Sequence, residues 1–189
     1  IVIYPLNQNK ELNLVCIIRD KKYDSDNIKP LVNRIVAQNS GLESGLMIVQ
    51  YVAGASLSEL RGHASPRSAF STSTSAGQED HVSMGSISAI KLLEVLNNVE
   101  QVLAIEAFTA AQALDFRKPL KAGKGVEAAH QEIRKRVSHK DADEFFGDDI
   151  DACIDMLRGN HILKEVEKKI EEAQSELSKM GPSFFDNPE

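Results

Sequence analysis

From Val82 to Phe116 the chain runs without a proline, and without a glycine after Gly85. At ~1.5 Å per residue, such a stretch makes one helix about 50 Å long. Its first half carries a polar face of Lys91, Glu94, Asn97, Asn98 and Glu100, whereas its second half, VLAIEAFTAAQALDF, is apolar nearly all round. A helix with no polar face must be buried on every side. With 189 residues the chain can build one ordinary domain. It is too short to wrap such a helix alone, so other subunits or a further domain are expected to complete the burial.

The remaining segments are organised around that helix. Residues 1–19, IVIYPLNQNKELNLVCIIR, read as two short strands about the polar turn NQNK: Val2, Tyr4 and Leu6 alternate, and LVCII is β-branched and apolar. DKKYDSDN then reads as a solvated loop, with a helix starting near Ile28. From residue 40, Leu42, Leu46, Val49, Ala53 and Leu57 fall at helical spacing, with small residues at Gly45, Ala53, Gly54 and Ala55 for close packing. Pro66 and the hydroxyl residues after it form a loop. Beyond the long helix, Pro119 and two glycines interrupt the chain, and a shorter helix is expected over Val126–Val137. Another is expected to start at Ser138 or Asp141, with acidic residues in its first turn. The last spans about 161–180, with Glu165 and Lys169 as an i, i+4 pair and Gly181–Pro182 as its stop. No repeat or low-complexity linker is visible.

Bulk chemistry excludes some functions. A formal charge of -6 with no basic stripe argues against a nucleic-acid or anionic-membrane surface. Glu43, Gln50, Glu59 and Glu106 break the longest apolar stretches, so no membrane span is expected, and no signal peptide is visible. Cys16 and Cys153 lie far apart and match no metal-ligand spacing, which points to free thiols in a reducing compartment. The chain opens on Ile1, not Met, so a processed product, a fragment or a sequence without its front is expected.

Few groups invite chemistry. The acidic run from Asp141 to Asp155 hints at calcium, but Phe145 occupies a ligand position and the glycine comes one residue late. A solvated helix start explains it better. His63, His130, His139 and His161 have no partner at ligand spacing, and no Gly-rich phosphate loop or G-x-S-x-G elbow is present. The stretch STSTSAGQEDHVSMGS, residues 71–86, is different: it sets Gln78, Glu79, Asp80 and His81 before the apolar helix. Ser75 with Gln78 reads as a capping box, and Glu79 and Asp80 suit the positive end of a helix. At the buried mouth of a bundle, Glu79 would also feel desolvation against that helix end, a balance suited to substrate binding or proton transfer.

The segments SGLESGLMIVQY, TSAGQEDHVSMGS and NVEQVLAIEAFTAAQALDFRKPL closely resemble the C-terminal part of the histidine ammonia-lyases, within the aromatic amino-acid lyase family. The family pattern G-L-x-S-G-x-M-I followed by T-S-A-x-Q-E-D-H-V-S-M-G is retained without a gap. The likeness is strong over about 40–120 and weaker over 120–170. It implies a mainly α fold of long antiparallel helices, preceded here by a short β-like segment. Residues 1–36 form that segment, a strand pair plus loop that is not family-like, and 37–189 the helical part.

The resemblance also implies an activity: elimination of ammonia from an amino acid, giving urocanate from histidine. The proton removed is scarcely acidic, and the family uses a methylidene-imidazolone (MIO) electrophile made from an Ala-Ser-Gly triplet of its own chain. By the same resemblance Glu79 contacts the substrate near the electrophile, Gln78 lines the pocket, and the Met47 thioether packs on the imidazole. The family forms homotetramers whose active sites draw on several subunits. Here the Ala-Ser-Gly triplet is absent, as are the family's tyrosine base and carboxylate-holding arginine, so the chain alone is expected to be inactive and to need an N-terminal lyase half. Glu43 replaces a usual asparagine, Ile90 a frequent arginine and Phe70 a usual aspartate. A non-catalytic helical assembly subunit is therefore the alternative. A weak likeness of residues 1–19 to flavin-dependent hydroxylases adds a third, a composite chain whose preparation would be yellow with flavin.

Overall fold

The long helix is present. It spans Gly85–Asp115, 31 residues and about 46 Å, and most of the chain is arranged along it. The computed structural model of the protein describes residues 3–6, 11–14 and 42–179. Two strands, β1 (Ile3–Leu6) and β2 (Glu11–Leu14), pair antiparallel with Ile3 opposite Leu14 and Leu6 opposite Glu11. Among the described residues five α-helices follow: α1 (Met47–His63), α2 (Gly85–Asp115), α3 (Lys124–Arg134), α4 (Gly147–Arg158) and α5 (His161–Lys179). The NQNK turn, the loop and helix expected after residue 19, Cys16 and the Gly181–Pro182 stop lie outside the described residues.

Helices α1 and α2 form an antiparallel hairpin. Buried Ser56 donates to Gln101 Oε1 at 2.8 Å. Nearer the connection, His63 Nε2 lies 3.6 Å from Glu94, and Lys91 Nζ donates to the Ser65 carbonyl at 2.6 Å. As the numbers rise along α1 they fall along α2. Leu46 and Val49, at the start of α1, therefore share a buried cluster with Ala104, Ile105, Phe108 and Ala111 from the second half of α2. Helix α4 adds Ile150, Cys153 and Met156 to that cluster, and Ile133, Val137 and Phe146 close it. Arg158 ties α4 back to α2 through Glu100, at 2.6 Å. Helix α5 lies along α3, and a Cβ at position 125 would reach ordinary contact with Val166 Cγ1 at 3.5 Å and Ile170 Cδ1 at 3.8 Å.

The second half of α2 is the more buried one, as expected, but much of its cover comes from this chain. In the second half Ala111, Gln112 and Ala113 are buried in succession, Leu103 stays exposed, and α1, α3 and α4 of the same chain provide the cover. The first half is the uncovered part: Ile87, Ile90, Leu92, Leu93 and Leu96 stand exposed beside the expected polar face. Charged residues on that face mask how apolar its flanks are.

Two boundaries also move, and two local expectations fail. Helix α1 begins at Met47, not near Leu42, because Gly45 takes φ 54° and turns the chain just before it; Leu42 is exposed. No helix starts at Ser138 or Asp141: residues 138–146 stay irregular because their polar groups bond to distant elements, and α4 begins at Gly147. Lys169 pairs with Glu172 at 2.6 Å, one turn ahead, and not with Glu165 by contact. Gly54, expected to serve close packing, would meet nothing within 4 Å if given a Cβ.

Cys153 is fully buried, and desolvation, with the nearby Asp149 charge, pushes its thiol up to about 11. The thiolate is the reactive species. In native protein at pH 8 the Cys153 peptide is expected to take up no maleimide while the fold holds, and to label fully in denaturant, as read by mass spectrometry. Rapid native labelling would mean that α4 does not seal against α2.

Candidate functional site

The polar tetrad does not sit inside a helix start. Ser75–Gly77 form one short 3-10 turn, and Ser75, Ala76 and Gly77 take φ of 52°, 54° and 84°. That left-handed run breaks the path from Ser75 to α2, so the expected capping box does not form. The turn leaves Gln78 N–H on the Ser75 carbonyl at 3.1 Å and Glu79 N–H on the Thr74 carbonyl at 3.3 Å. Helix α2 begins seven residues after Gln78, behind Met84, which is itself left-handed at φ 56°, with no side-chain cap and no acidic residue in its first turn. Gln78, Glu79, Asp80 and His81 are all exposed, not set in a buried mouth. Ser71 Oγ donates to the Val82 carbonyl at 2.5 Å and draws the two ends of the loop together.

L-residues pay roughly 1–2 kcal/mol to adopt left-handed backbone, and such strain gathers where a chain must present particular groups. Three non-glycine residues here, Ser75, Ala76 and Met84, flank the tetrad in that state.

Met47 lies elsewhere. It is the first residue of α1 and 38% exposed. The antiparallel hairpin sets that end of α1 against the second half of α2, while Gln78 and Glu79 belong to the loop at the other end. A helix of 17 residues separates the two ends by about 25 Å. Gln78 and Glu79 share that one loop, and Met47 stands at the far end of α1 from where the loop begins. Of the three departures from the family pattern, Phe70 and Ile90 are exposed; Glu43 lies just before α1.

A denser polar cluster, unread in the sequence, occupies the Met47 end. Asp115, 8% exposed at its side chain, receives Lys118 Nζ at 3.0 Å, His130 Nε2 at 3.1 Å, Arg134 Nη2 at 2.8 Å and His139 Nδ1 at 3.0 Å. Burial would raise its pKa; hydrogen bonds from Lys118 and His139, with the Arg134 charge, outweigh that and hold the carboxyl well below the usual range. Gln112 extends the cluster, donating to the Lys140 carbonyl at 2.6 Å and accepting from the Lys140 N–H at 3.2 Å. His130 and Arg134 sit four apart on α3, the spacing that puts two side chains on one helix face; that was the available signal. The acidic run is likewise absorbed by ion pairs: Lys140 Nζ binds Glu144 at 2.8 Å and Asp149 at 2.9 Å. Among the described residues no group of three His, Cys, Asp or Glu could hold a metal ion, and no helix is long and apolar enough to cross a membrane.

A hairpin of long helices, a strained loop presenting Gln-Glu-Asp-His and a helical remainder define a class. The family model described as aromatic amino acid lyase matches residues 20–135, and the chain belongs to that family. Among individual proteins it is 47% identical over 133 residues to a histidine ammonia-lyase of Caldanaerobacter subterraneus, covering 69% of this chain and 26% of that protein. It is 48% identical over 122 residues to the histidine ammonia-lyase of Shewanella pealeana, covering 65% and 24%. Its fold matches the crystal structure of the Trypanosoma cruzi histidine ammonia-lyase with a TM-score of 0.68 at 36% identity, over 76% of this chain and 30% of that one. A tyrosine aminomutase from Streptomyces globisporus matches at 0.67 and 30% identity, over 76% and 29%. The chain thus spans about a quarter of the length of the curated relatives it matches.

Proposed function

We propose that this chain is the C-terminal portion of a histidine ammonia-lyase, with Glu79 as a catalytic contact and Gln78 and Met47 as substrate-binding residues. The observation that carries the reading is its 47% identity to a histidine ammonia-lyase. The solved aminomutase shares the architecture at lower identity, so the fold alone does not choose the substrate. The chain holds no Ala-Ser-Gly triplet; its residues do not fit formation of the MIO electrophile, which would come from an N-terminal lyase half. What this chain contributes is a carboxylate and an amide on a loop that needs little movement to meet a ligand, and a thioether to pack against the substrate ring. Met47 opens α1 and Glu79 lies in the loop that follows the other end of that helix, so in this reading a pocket using both takes them from different copies. A cytoplasmic homotetramer, with the exposed apolar strip of α2 covered by neighbouring helices, satisfies that requirement.

The test combines the chain with an N-terminal lyase half and follows urocanate absorbance. Glu79→Ala is expected to lower kcat by about tenfold or more. Mixing Glu79→Ala chains with Met47→Ala chains should give activity above that of either variant alone. A competent assembly that binds histidine and loses nothing on Glu79→Ala would sink the assignment. A second reading, a non-catalytic assembly subunit, is favoured by the exposure of the whole tetrad. An Ala-Ser-Gly triplet in frame upstream of the coding sequence would dismiss it.

A further inference from the structure

We propose that Asp143 is a positioning residue that sets Met47 by anchoring the backbone just ahead of α1, an inference that rests on the assignment of Met47 to the substrate pocket. The Asp143 carboxylate accepts two successive backbone N–H groups, Ser44 at Oδ2, 2.7 Å, and Gly45 at Oδ1, 2.6 Å. Both are short, as hydrogen bonds to a charged acceptor are. Two neighbouring amides can face one anion because Gly45 is left-handed, the backbone form that makes an anion-binding nest. The N-cap residue of α1, Leu46, offers no side-chain bond, so the anchor comes from the far side of the sequence.

Met47 follows at once, its N–H on the Ser44 carbonyl at 3.3 Å. The residue before it, Leu46, and the second after it, Val49, are buried in the core. The first turn of α1 is therefore held on one side by packing and on the other by Asp143. Asp143 is in turn fixed by its neighbours. The Lys140 backbone is gripped from both sides by Gln112, and the Lys140 ammonium bridges Glu144 and Asp149. The segment thus reaches across to hold the backbone at Gly45, 98 residues earlier, just ahead of α1. A carboxylate used only as a solvated surface charge would not be bidentate to two amides.

The experiment compares Asp143→Ala and Asp143→Asn with the parent chain, alone and assembled with the N-terminal lyase half. Asp143→Ala should speed hydrogen exchange at Ser44 and Gly45, shift the Met47 methyl resonance, and leave the α4 amides unchanged. In the assembly it should raise KM for histidine roughly fivefold, the equivalent of one lost cap, with kcat little changed; a fold merely weakened would lose active molecules and lower the apparent kcat at constant KM. Asp143→Asn, which keeps one acceptor oxygen, should fall between, and it serves if the alanine variant does not fold. Unchanged exchange at Ser44 and Gly45 would overturn the anchor. Faster exchange with an unmoved Met47 methyl would reduce Asp143 to a cap and overturn the positioning role. If the parent assembly makes no urocanate, the lyase assignment fails while exchange and the methyl signal still decide the anchor.

Discussion

Phe108→Ala is expected to lower stability by about 3–5 kcal/mol, seen as a reduced urea midpoint with an unchanged slope. Phe108 is fully buried in the cluster that α1, α2 and α4 share, with Val49, Cys153 and Met156 also sealed. Its ring faces Phe146 at 5.8 Å between centroids and 47° between planes. Removing it takes away a large apolar transfer term and leaves a cavity that three helices would have to close together. Phe70→Ala is the control: that ring is 65% exposed in a 3-10 turn, and the change should stay within about 0.5 kcal/mol. Equal effects at the two positions would mean that the three-helix cluster is not the core.

Asp115→Ala should cost about 3 kcal/mol, because it leaves Arg134 and its neighbours without their shared anion in a largely dry place. Arg134 keeps its bonds to the Val137 and Ser138 carbonyls, at 2.9 and 3.1 Å, which stops the loss from being larger. The pH dependence has a definite sign. The folded carboxyl titrates below its unfolded value, so its contribution is full above about pH 4 and is lost as the pH falls through the folded value. The stability gap between the parent and Asp115→Asn should therefore be constant near neutrality and shrink in acid. A gap that instead grows below pH 4 would show that Asp115 is protonated in the native state.

How much of this was legible depends on whether the governing contacts are local. The long helix was readable because the absence of proline and glycine from Ile87 to Phe116 is a local fact, and α5 was readable from its apolar spacing. The family was readable because Met47 and the Gln78–Glu79 loop lie in sequence order at a fixed interval. The start of α1 was misplaced because Gly45 reads as a packing residue and acts as a turn. The segment after Val137 was read as a helix because its acids suit a first turn, and its real partners, Gln112 and the amides of Ser44 and Gly45, are remote in sequence. Asp115 went unread for the same reason: four basic side chains reach it from three separate stretches. The capping box failed because a local pattern cannot show that Ser75 and Ala76 take left-handed backbone. Exposure of Gln78 and Glu79 is likewise invisible in a pattern of polar residues beside an apolar run.

The clasp between Asp143 and the amides of Ser44 and Gly45 joins residues 98 and 99 positions apart. A ribosome that has delivered α1, α2 and α3 has still not delivered the anion that sets where α1 begins. Bringing ends so far apart together carries a loop-closure entropy that the local α1–α2 hairpin does not. During synthesis the hairpin can therefore zip early, while the turn bearing Met47 waits for the last third of the chain to arrive.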